Sequence, residues 1–534
     1  MKTRLRILLV GLIAAGAWLV PSGQAAAAEQ AAAAPDQKIV GMYIHQHWPY
    51  KHPYAARTWT VEDYRGYAEG LKQIGYNTLM IWPILETMPD PLTPSDQANL
   101  AKIAQVIDML HHELHMRAYI VLCPNIMANA EAKNAPFELR HYFFSDVRVN
   151  PGDPAAMAKM MAWREKLVRP LANADGFMII DSDPGGYAGS NNREFADLLV
   201  AHRQMFDRLR PGIELNYWVL MGWPSYCRFY STAELKISTE EEFHEIFTML
   251  KERNPEPWGL AMHASHGEEQ LGLAPRVINF RYGGIEGEPS FPMTNFKDAG
   301  HDPAYEAGKN GGQRGVMGNS QTHCVQLPNT FAFARGATGK PLTDADYEKF
   351  ADDLIPGLGR TIVNAWQLVN STDSAAMNRQ ADELAGLADA RLKAGPLKGL
   401  LFNDPRRFVN DLAMMLRFKA AVQEFRVAVD AKQHVLPAFR TMVVTATTWQ
   451  TQHGYQDAWY DPRMFEALRK LNVPRINEKL DEGFTLKEGA TGFDRVRLGL
   501  AQIETHTTRL LGAMQQTLIE MERQSSDSKA DANK

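Results

Sequence analysis

Short apolar runs alternate with amphipathic segments from residue 38 to about residue 340 of the chain. Apolar runs bounded by turn residues indicate buried strands, and apolar residues roughly three or four positions apart indicate helices. This order predicts an α/β fold, a (β/α)8 TIM barrel over residues 38–340. The sixth and seventh helices are weakly indicated, so an open doubly wound sheet is the alternative. The predicted strands are 38–44, 76–82, 117–122, 177–180, 213–220, 258–262, 276–280 and 314–317, and the clear helices are 60–74, 95–115, 154–171, 192–209 and 240–252, the first two capped by Thr60 and Ser95.

Strand-like runs become rare after about residue 341, and amphipathic helices follow one another. This change predicts an all-α C-terminal domain over residues 341–523. The polar residues 524–534 are expected to be a disordered tail. The predicted helices of this part are 344–354, 374–393, 405–430, 462–471 and 493–523.

The first residues have the pattern of a secretory signal peptide. Three basic residues precede the apolar run 7–20, and four alanines at 25–28 offer a cleavage site. We therefore expect a signal peptide over 1–28, a linker over 29–37, and an exported protein that is secreted or periplasmic. An uncleaved anchor is the alternative. No later segment is long and apolar enough to predict a membrane span.

Charge and cysteine content narrow the possible partners. The formal net charge is −5, and acidic and basic residues are mixed along the chain, so no nucleic-acid or polybasic membrane surface is expected. Cys123, Cys227 and Cys324 are far apart and form no metal-binding motif. We expect buried thiols, although one disulfide is possible. No cofactor is predicted, and the oligomeric state is left open.

The fourth predicted strand ends in two acids. Asp181 and Asp183 are two residues apart, so their side chains are expected to share a face at the carboxyl end of the strand. Repulsion and loss of water should raise the pKa of one carboxyl, which suits a general acid. Active sites of parallel barrels lie at this end of the strands. The alternative is a loop pair that caps the next helix.

A second carboxylate and several sugar-compatible side chains follow other strands. Asp183 is the predicted general acid, Asp181 its partner, and Glu286, after the seventh strand, the second catalytic carboxylate. Aromatic faces can stack on a pyranose, and His, Arg and Asn can hydrogen-bond its hydroxyls, although each tryptophan could equally be a core residue. The predicted substrate-binding residues are His45, Trp48, Trp82, Asn125, Tyr187, Trp218, Trp223, His263, Arg281 and Asn319.

Three features together resemble the barrel glycoside hydrolases of the hexosaminidase and α-glucuronidase kind. They are Tyr-Asn-Thr-Leu-Met-Ile-Trp at 76–82, the acid-x-acid end of the fourth strand, and helices after the barrel. The resemblance implies an exported glycoside hydrolase acting on an oligo- or polysaccharide, of the N-acetylhexosaminidase or α-glucuronidase type. The second catalytic group could then be Glu286 or the substrate's own acetamido group.

The chain also departs from both families. Hexosaminidases of this kind carry adjacent acids, whereas Ser182 separates the two here. The α-glucuronidase type has Asp-Ser-Glu, which Asp181-Ser182-Asp183 approaches with a shorter last acid. Both kinds usually have a small α/β domain before the barrel, for which this chain has no room. The sugar, the linkage and the stereochemical course therefore stay open.

Two other functions remain as alternatives. A metal-dependent hydrolase of the amidohydrolase type could use His45, His47 and His263 as ligands. Against it, the fifth strand ends without a histidine, and Asn319 stands where that family needs an aspartate. A non-catalytic glycan-binding barrel is the other alternative, because a fold alone does not establish catalysis.

Overall fold

The computed structural model describes most of the chain, within the unit Ala32–Lys534. The predicted signal peptide lies outside the described residues, and the predicted domain boundary at 340/341 stays a prediction. The described residues are 37–46, 56–140, 146–180, 191–219, 229–230, 235–236, 240–253, 258–262, 272–281, 284–285, 303–320, 326–388, 392–453, 462–482 and 509–527.

Eight parallel strands form a closed barrel in chain order. The first strand pairs with both the second and the eighth, as His45 with Trp82 and Ile39 with Gly315, so the sheet has no free edge. The predicted barrel is confirmed, and the open sheet is wrong. The strands are β1 (Ile39–His45), β2 (Thr78–Trp82), β3 (Arg117–Leu122), β4 (Gly176–Ile180), β5 (Glu214–Val219), β6 (Trp258–Met262), β7 (Val277–Arg281) and β8 (Gly315–Asn319).

Helices separate most of these strands. Between β6 and β7 the described residues contain only the 3-10 helix Ala274–Arg276. Two small antiparallel ribbons, Ile126–Ala128 with Asp146–Arg148 and Phe229–Tyr230 with Leu235–Lys236, lie outside the barrel sheet. The helices are α1 (Val61–Ile74), α2 (Pro94–His112), α3 (Pro154–Val168), α4 (Asn192–Leu209), α5 (Glu240–Arg253), α6 (Pro303–Lys309) and α7 (Leu327–Ala337).

The N-caps of the first two helices show how local chemistry fixes their starts. Thr60 caps α1 in a capping box with Asp63, as predicted. The predicted cap of α2, Ser95, is wrong, because Thr93 forms the capping box with Asp96 and places Pro94 in the first turn. Proline suits that position because its missing N–H would have no helical partner there.

All secondary-structure elements among the described residues after 341 are helices. The predicted helices Asp344–Leu354 and Pro462–Leu471 are confirmed with their bounds. The last helix, residues 509–527, continues into the segment 524–534 predicted to be a disordered tail. The helices are α8 (Asp344–Leu354), α9 (Gly359–Leu368), α10 (Ser374–Ala388), α11 (Pro405–Ala431), α12 (Val435–His453), α13 (Pro462–Leu471), α14 (Pro474–Glu482) and 509–527.

The helical region packs directly on α1 of the barrel. Phe402 lies against Trp59 and Tyr67, with ring centroids 4.8 Å and 5.9 Å apart. Beside these rings, a Cβ on Gly399 would lie 1.9 Å from the carbonyl oxygen of Gly66, so the two backbones touch. Only glycine allows this approach.

Gly399→Ala should lower the free energy of unfolding by about 1–3 kcal/mol, because α1 must move away from the added methyl group. Urea unfolding of the full chain measures the change. Gly386→Ala is the matched control, because a Cβ there meets nothing within 4 Å and Gly386 lies inside α10. That variant should be stabilised, since alanine favours a helix over glycine. Equal effects at the two positions would contradict the close contact.

No helix among the described residues is both long enough and apolar enough to cross a bilayer. Cys123 is a buried thiol, as expected, and forms no disulfide within the described residues, whereas Cys227 and Cys324 lie outside them.

Candidate active site

Side chains on β5 alternate between the barrel interior and the surrounding helices. Tyr217 faces outward, because its ring lies 5.4 Å from Phe195 of α4 and 5.5 Å from Phe247 of α5. Since neighbouring residues of a strand point to opposite sides, Asn216 and Trp218 face the interior. The carboxyl half of β5 thus places an amide and an indole inside the barrel.

An aromatic cluster fills the interior near the carboxyl ends of the strands. Trp218 packs edge to face with Tyr43 of β1 at 5.3 Å and lies 4.0 Å from Phe280 of β7. Tyr43 also contacts the ring of His45 at 5.6 Å. These four rings come from three strands, so they join one side of the barrel mouth to the other.

Two more predicted binding residues, Trp82 and Asn319, join this region. Across the β1–β2 pair, Trp82 is the partner of His45, and across the β1–β8 pair, Asn319 is the partner of Tyr43. Paired residues on parallel strands point to the same side, so both lie on the interior side with the aromatic cluster. The structure therefore brings His45, Trp82, Trp218 and Asn319 together, all of them buried.

Asn125 and Arg281 are placed differently. Asn125 follows β3, and its side-chain amide donates to the carbonyl oxygen of Val149 at 2.8 Å. Arg281 is paired with Gly318, which faces Phe333 of α7. Arg281 therefore lies on the helix-facing side of β7, opposite Phe280. Its side chain thus does not point into the barrel interior, where the ligand contact was predicted.

The predicted catalytic residues Asp181, Asp183 and Glu286 lie outside the described residues, so their roles stay predictions. The strand before the first two is described: β4 is fully buried and ends at Ile180, directly before Asp181. Ile180 is the pairing partner of Trp218. The predicted binding residues Trp48, Tyr187, Trp223 and His263 also lie outside the described residues.

Sequence reasoning missed a buried carboxyl at the barrel mouth, that of Glu86. It lies in the 3-10 helix Leu85–Thr87, after β2. Its Oε2 accepts a hydrogen bond from Trp82 Nε1 at 3.2 Å, and its Oε1 accepts one from the backbone N–H of Cys123. Glu86 thus ties the end of β2 to the segment after β3. The sequence signal that could have indicated Glu86 is Pro83, which ends the strand shortly before this glutamate.

The environment of Glu86 acts on its protonation in two directions. Burial raises the pKa of its carboxyl above the ordinary value, whereas Arg164 and the Cys123 amide act to lower it. Burial is the larger effect, because a carboxylate removed from water loses its hydration. This carboxyl therefore holds a proton to a higher pH than an exposed glutamate.

Arg164 of α3 shapes the segment that carries Asn125. Its guanidinium donates to the carbonyl oxygens of Pro124 at 2.5 Å and Ile126 at 3.0 Å. It also donates to Nε2 of His202 at 2.8 Å, and Nδ1 of that ring bonds the carbonyl oxygen of Leu198. Burial and the neighbouring guanidinium lower the pKa of His202 to about 3, so the ring is neutral near neutral pH.

A polar cluster occupies the other, amino end of the barrel. The hydroxyl of Tyr119 donates to Glu214 at 2.7 Å, and Arg314 forms an ion pair with the same carboxylate. Burial raises the pKa of Tyr119 well above its ordinary value. The interior is thus charged at its amino end and mainly aromatic at its carboxyl end.

Within the part of the chain that the structure describes, no three His, Cys, Asp or Glu side chains form a group that could hold a metal ion. His47 and His263, needed for the metal-dependent alternative, lie outside that part. The structure thus leaves this alternative untested.

Comparisons with known proteins give distant structural likenesses. No protein-family model and no curated protein sequence matches the chain. A GH138 enzyme targeting pectin rhamnogalacturonan II is 9% identical, with a TM-score of 0.44, over 85% of this chain and 69% of its own. An O-GlcNAc hydrolase mutant of Thermobaculum terrenum is 8% identical, with a TM-score of 0.43, over 88% of this chain and 94% of its own.

A third solved structure is a GH20 catalytic module of the pneumococcal exo-β-D-N-acetylglucosaminidase StrH. It is 9% identical, with a TM-score of 0.34, over 70% of this chain and 98% of its own. These three solved structures are glycoside hydrolases, the class of enzymes that the sequence was found to resemble. At these TM-scores the likeness assigns no activity to the chain.

Proposed function

We propose that this protein is an exported glycoside hydrolase that binds a glycan at the carboxyl end of its barrel. The observation that carries the proposal is the position of β4. It is a fully buried strand of a closed parallel barrel, and it ends one residue before Asp181. In such barrels the segments that follow the strands supply the catalytic groups.

The proposed chemistry uses carboxyl groups that follow different strands. Asp183 donates a proton to the glycosidic oxygen while the bond from that oxygen to the anomeric carbon breaks. Asp181 keeps that proton in place. Glu286, or an acetamido group of the substrate, stabilises the positive charge that develops on the sugar ring. Water completes the reaction and returns a proton to the enzyme.

The described mouth of the barrel supports a sugar site. His45, Trp82, Trp218 and Asn319 converge there from four strands, and Glu86 holds Trp82 in place through its indole N–H. Apolar ring surface with a few fixed polar groups is typical of small-molecule sites. The predicted signal peptide supports export to a secreted or periplasmic location, where polysaccharides are accessible.

Asp183→Asn should lower kcat/KM at least about 100-fold on glycosides with poor leaving groups, because general acid catalysis commonly contributes about 10²–10⁴-fold. Aryl glycosides with acidic phenols should be less affected, because their leaving groups need little protonation. The substrates to test are N-acetylhexosaminides and uronides, each as oligosaccharide and as nitrophenyl glycoside. Circular dichroism and thermal melting should show an unchanged fold.

Asp108→Asn serves as the matched control, because Asp108 is exposed on α2. It should retain wild-type rates. A wild-type protein that binds glycans without cleaving any of them would favour the non-catalytic alternative. Equal losses on good and poor leaving groups would remove Asp183 from the role of general acid.

A further inference from the structure

We propose that the interior face of β5 is a hydrogen-bonding subsite for an uncharged sugar hydroxyl group, formed by the indole N–H of Trp218 and the carboxamide of Asn216. This inference rests on the proposed function, because it takes the ligand to be a sugar that enters from the carboxyl end of the barrel. It deepens that function by naming the class of sugar group that this face accepts.

Trp218 cannot act as a stacking platform. Its ring is 3% exposed, and it is enclosed between Tyr43, at 5.3 Å and nearly perpendicular, and Phe280, at 4.0 Å. A pyranose needs an open aromatic face, and these two neighbours occupy the space beside the indole. Any direct role of Trp218 in binding must therefore use the edge of its ring, which carries the N–H group.

The indole nitrogen of Trp218 is buried, and among the described residues it has no hydrogen-bond acceptor. A buried donor without a partner keeps the full penalty of lost hydration, and folded proteins rarely leave one. Phenylalanine would keep an aromatic ring on this face and would carry no N–H group to satisfy. An unpaired N–H at the active end of a barrel thus indicates a group that a ligand completes on binding.

Asn216, two residues before Trp218 on the same face of β5, also has buried polar atoms without a hydrogen-bond partner in the described part of the chain. It is fully buried, and neither its amide nitrogen nor its oxygen has a hydrogen-bond partner among the described residues. Its pairing neighbours are Met178 on β4 and Gly259 on β6. Neither neighbouring side chain offers a polar atom that matches a carboxamide. The strand therefore presents two donor groups, the indole N–H and the amide NH2, and one acceptor, the amide oxygen, in a column.

The charges around this column favour an uncharged ligand group. Glu214, the next interior residue of β5 toward the amino end, carries a negative charge, and Arg314 is already paired with it. A uronate carboxylate would have to compete with Glu214 for Arg314, which is costly in a buried site. A hydroxyl group both donates and accepts, so it can pair with the indole N–H and with the carboxamide.

Calorimetric titration of the full chain tests the inference without requiring turnover. The probes are D-glucose, N-acetyl-D-glucosamine and D-glucuronate, each added to wild type, Trp218→Phe and Asn216→Leu. Wild type should bind at least one neutral sugar more tightly than glucuronate. Each variant should weaken that binding at least about tenfold. Asn216→Leu should melt at an unchanged or higher temperature, because an apolar group of similar shape replaces an unpaired polar group, whereas Trp218→Phe also leaves a small cavity.

Trp366→Phe is the control, since Trp366 is a buried tryptophan of α9, outside the barrel strands. Unchanged sugar affinity in Trp218→Phe would overturn the inference, because the indole N–H would then make no contact with the ligand. Tighter binding of glucuronate, or no binding of any probe by wild type, would overturn it too. If Asn216→Leu fails to fold, Trp218→Phe decides alone. Hydrolysis lost in Asp183→Asn with sugar binding retained separates this inference from the proposed reaction.

Discussion

Replacing Arg140 by methionine should lower the free energy of unfolding by about 3–5 kcal/mol, because it leaves the Asp96 carboxylate buried without its cation. The two side chains form an ion pair in which Arg140 is 2% and Asp96 0% exposed. Arg140 also donates to the carbonyl oxygens of Thr87 at 3.1 Å and Ala135 at 3.0 Å. Methionine fills similar volume but replaces none of these bonds. Urea unfolding followed by circular dichroism measures the loss.

The control is Arg169→Met, which removes an ion pair with Glu165. The side chain of Arg169 is 65% exposed. Exposed pairs contribute little, so this variant should remain near wild type. A similarly small loss in Arg140→Met would mean that water reaches Asp96 and that the pair is not desolvated. Because Thr87 directly follows Glu86, the Arg140 variant should also loosen the turn that holds Trp82.

Stability should fall steeply as the pH drops below about 6.5, and His202 should account for much of the slope. The folded protein keeps this buried ring neutral until a pH of about 3, whereas the unfolded chain protonates it near its usual pKa of 6.5. Between these values the unfolded state binds the additional proton, so acid favours unfolding. The slope from this one group approaches about 1.4 kcal/mol per pH unit at most.

Unfolding of His202→Gln at pH 7, 6 and 5 tests this expectation. Glutamine can accept from Arg164 and does not titrate, so the variant should lose less stability than wild type between pH 7 and pH 5. His112→Gln, at an exposed site on α2, should retain the wild-type dependence. Parallel pH profiles of wild type and His202→Gln would show that His202 is already protonated in the folded state, or is not buried.

The barrel was predictable because its strands are buried on both sides. A continuous apolar run such as Phe177–Ile180 can be recognised from its own residues, without knowledge of the fold. The cap of a helix likewise depends on residues that are close in sequence. The helix α12 was missed because its Val and Thr residues favour strands. In the structure Thr447 and Thr451 satisfy their hydroxyls on the carbonyl oxygens of the preceding turn, at 2.7 Å and 2.8 Å.

The site was only partly predictable, because its geometry depends on contacts between distant parts of the chain. The sequence identified His45, Trp82, Trp218 and Asn319 as residues near strand ends, and pairing brings them together. It could not reveal that Phe280 covers the ring of Trp218, nor that Arg281 shares the register of Gly318. Glu86 was missed because its hydrogen-bond partner is the backbone of Cys123, which follows the next strand, β3.

The contact between α1 and the segment around Gly399 limits how this protein can be divided. A shortened gene that stops at residue 340 would yield a barrel whose Trp59 and Tyr67 have lost the covering ring of Phe402. Such a fragment would expose an apolar patch at these two rings and would aggregate on expression. Protein engineers who wish to trim this chain should therefore keep the residues through 402 with the barrel.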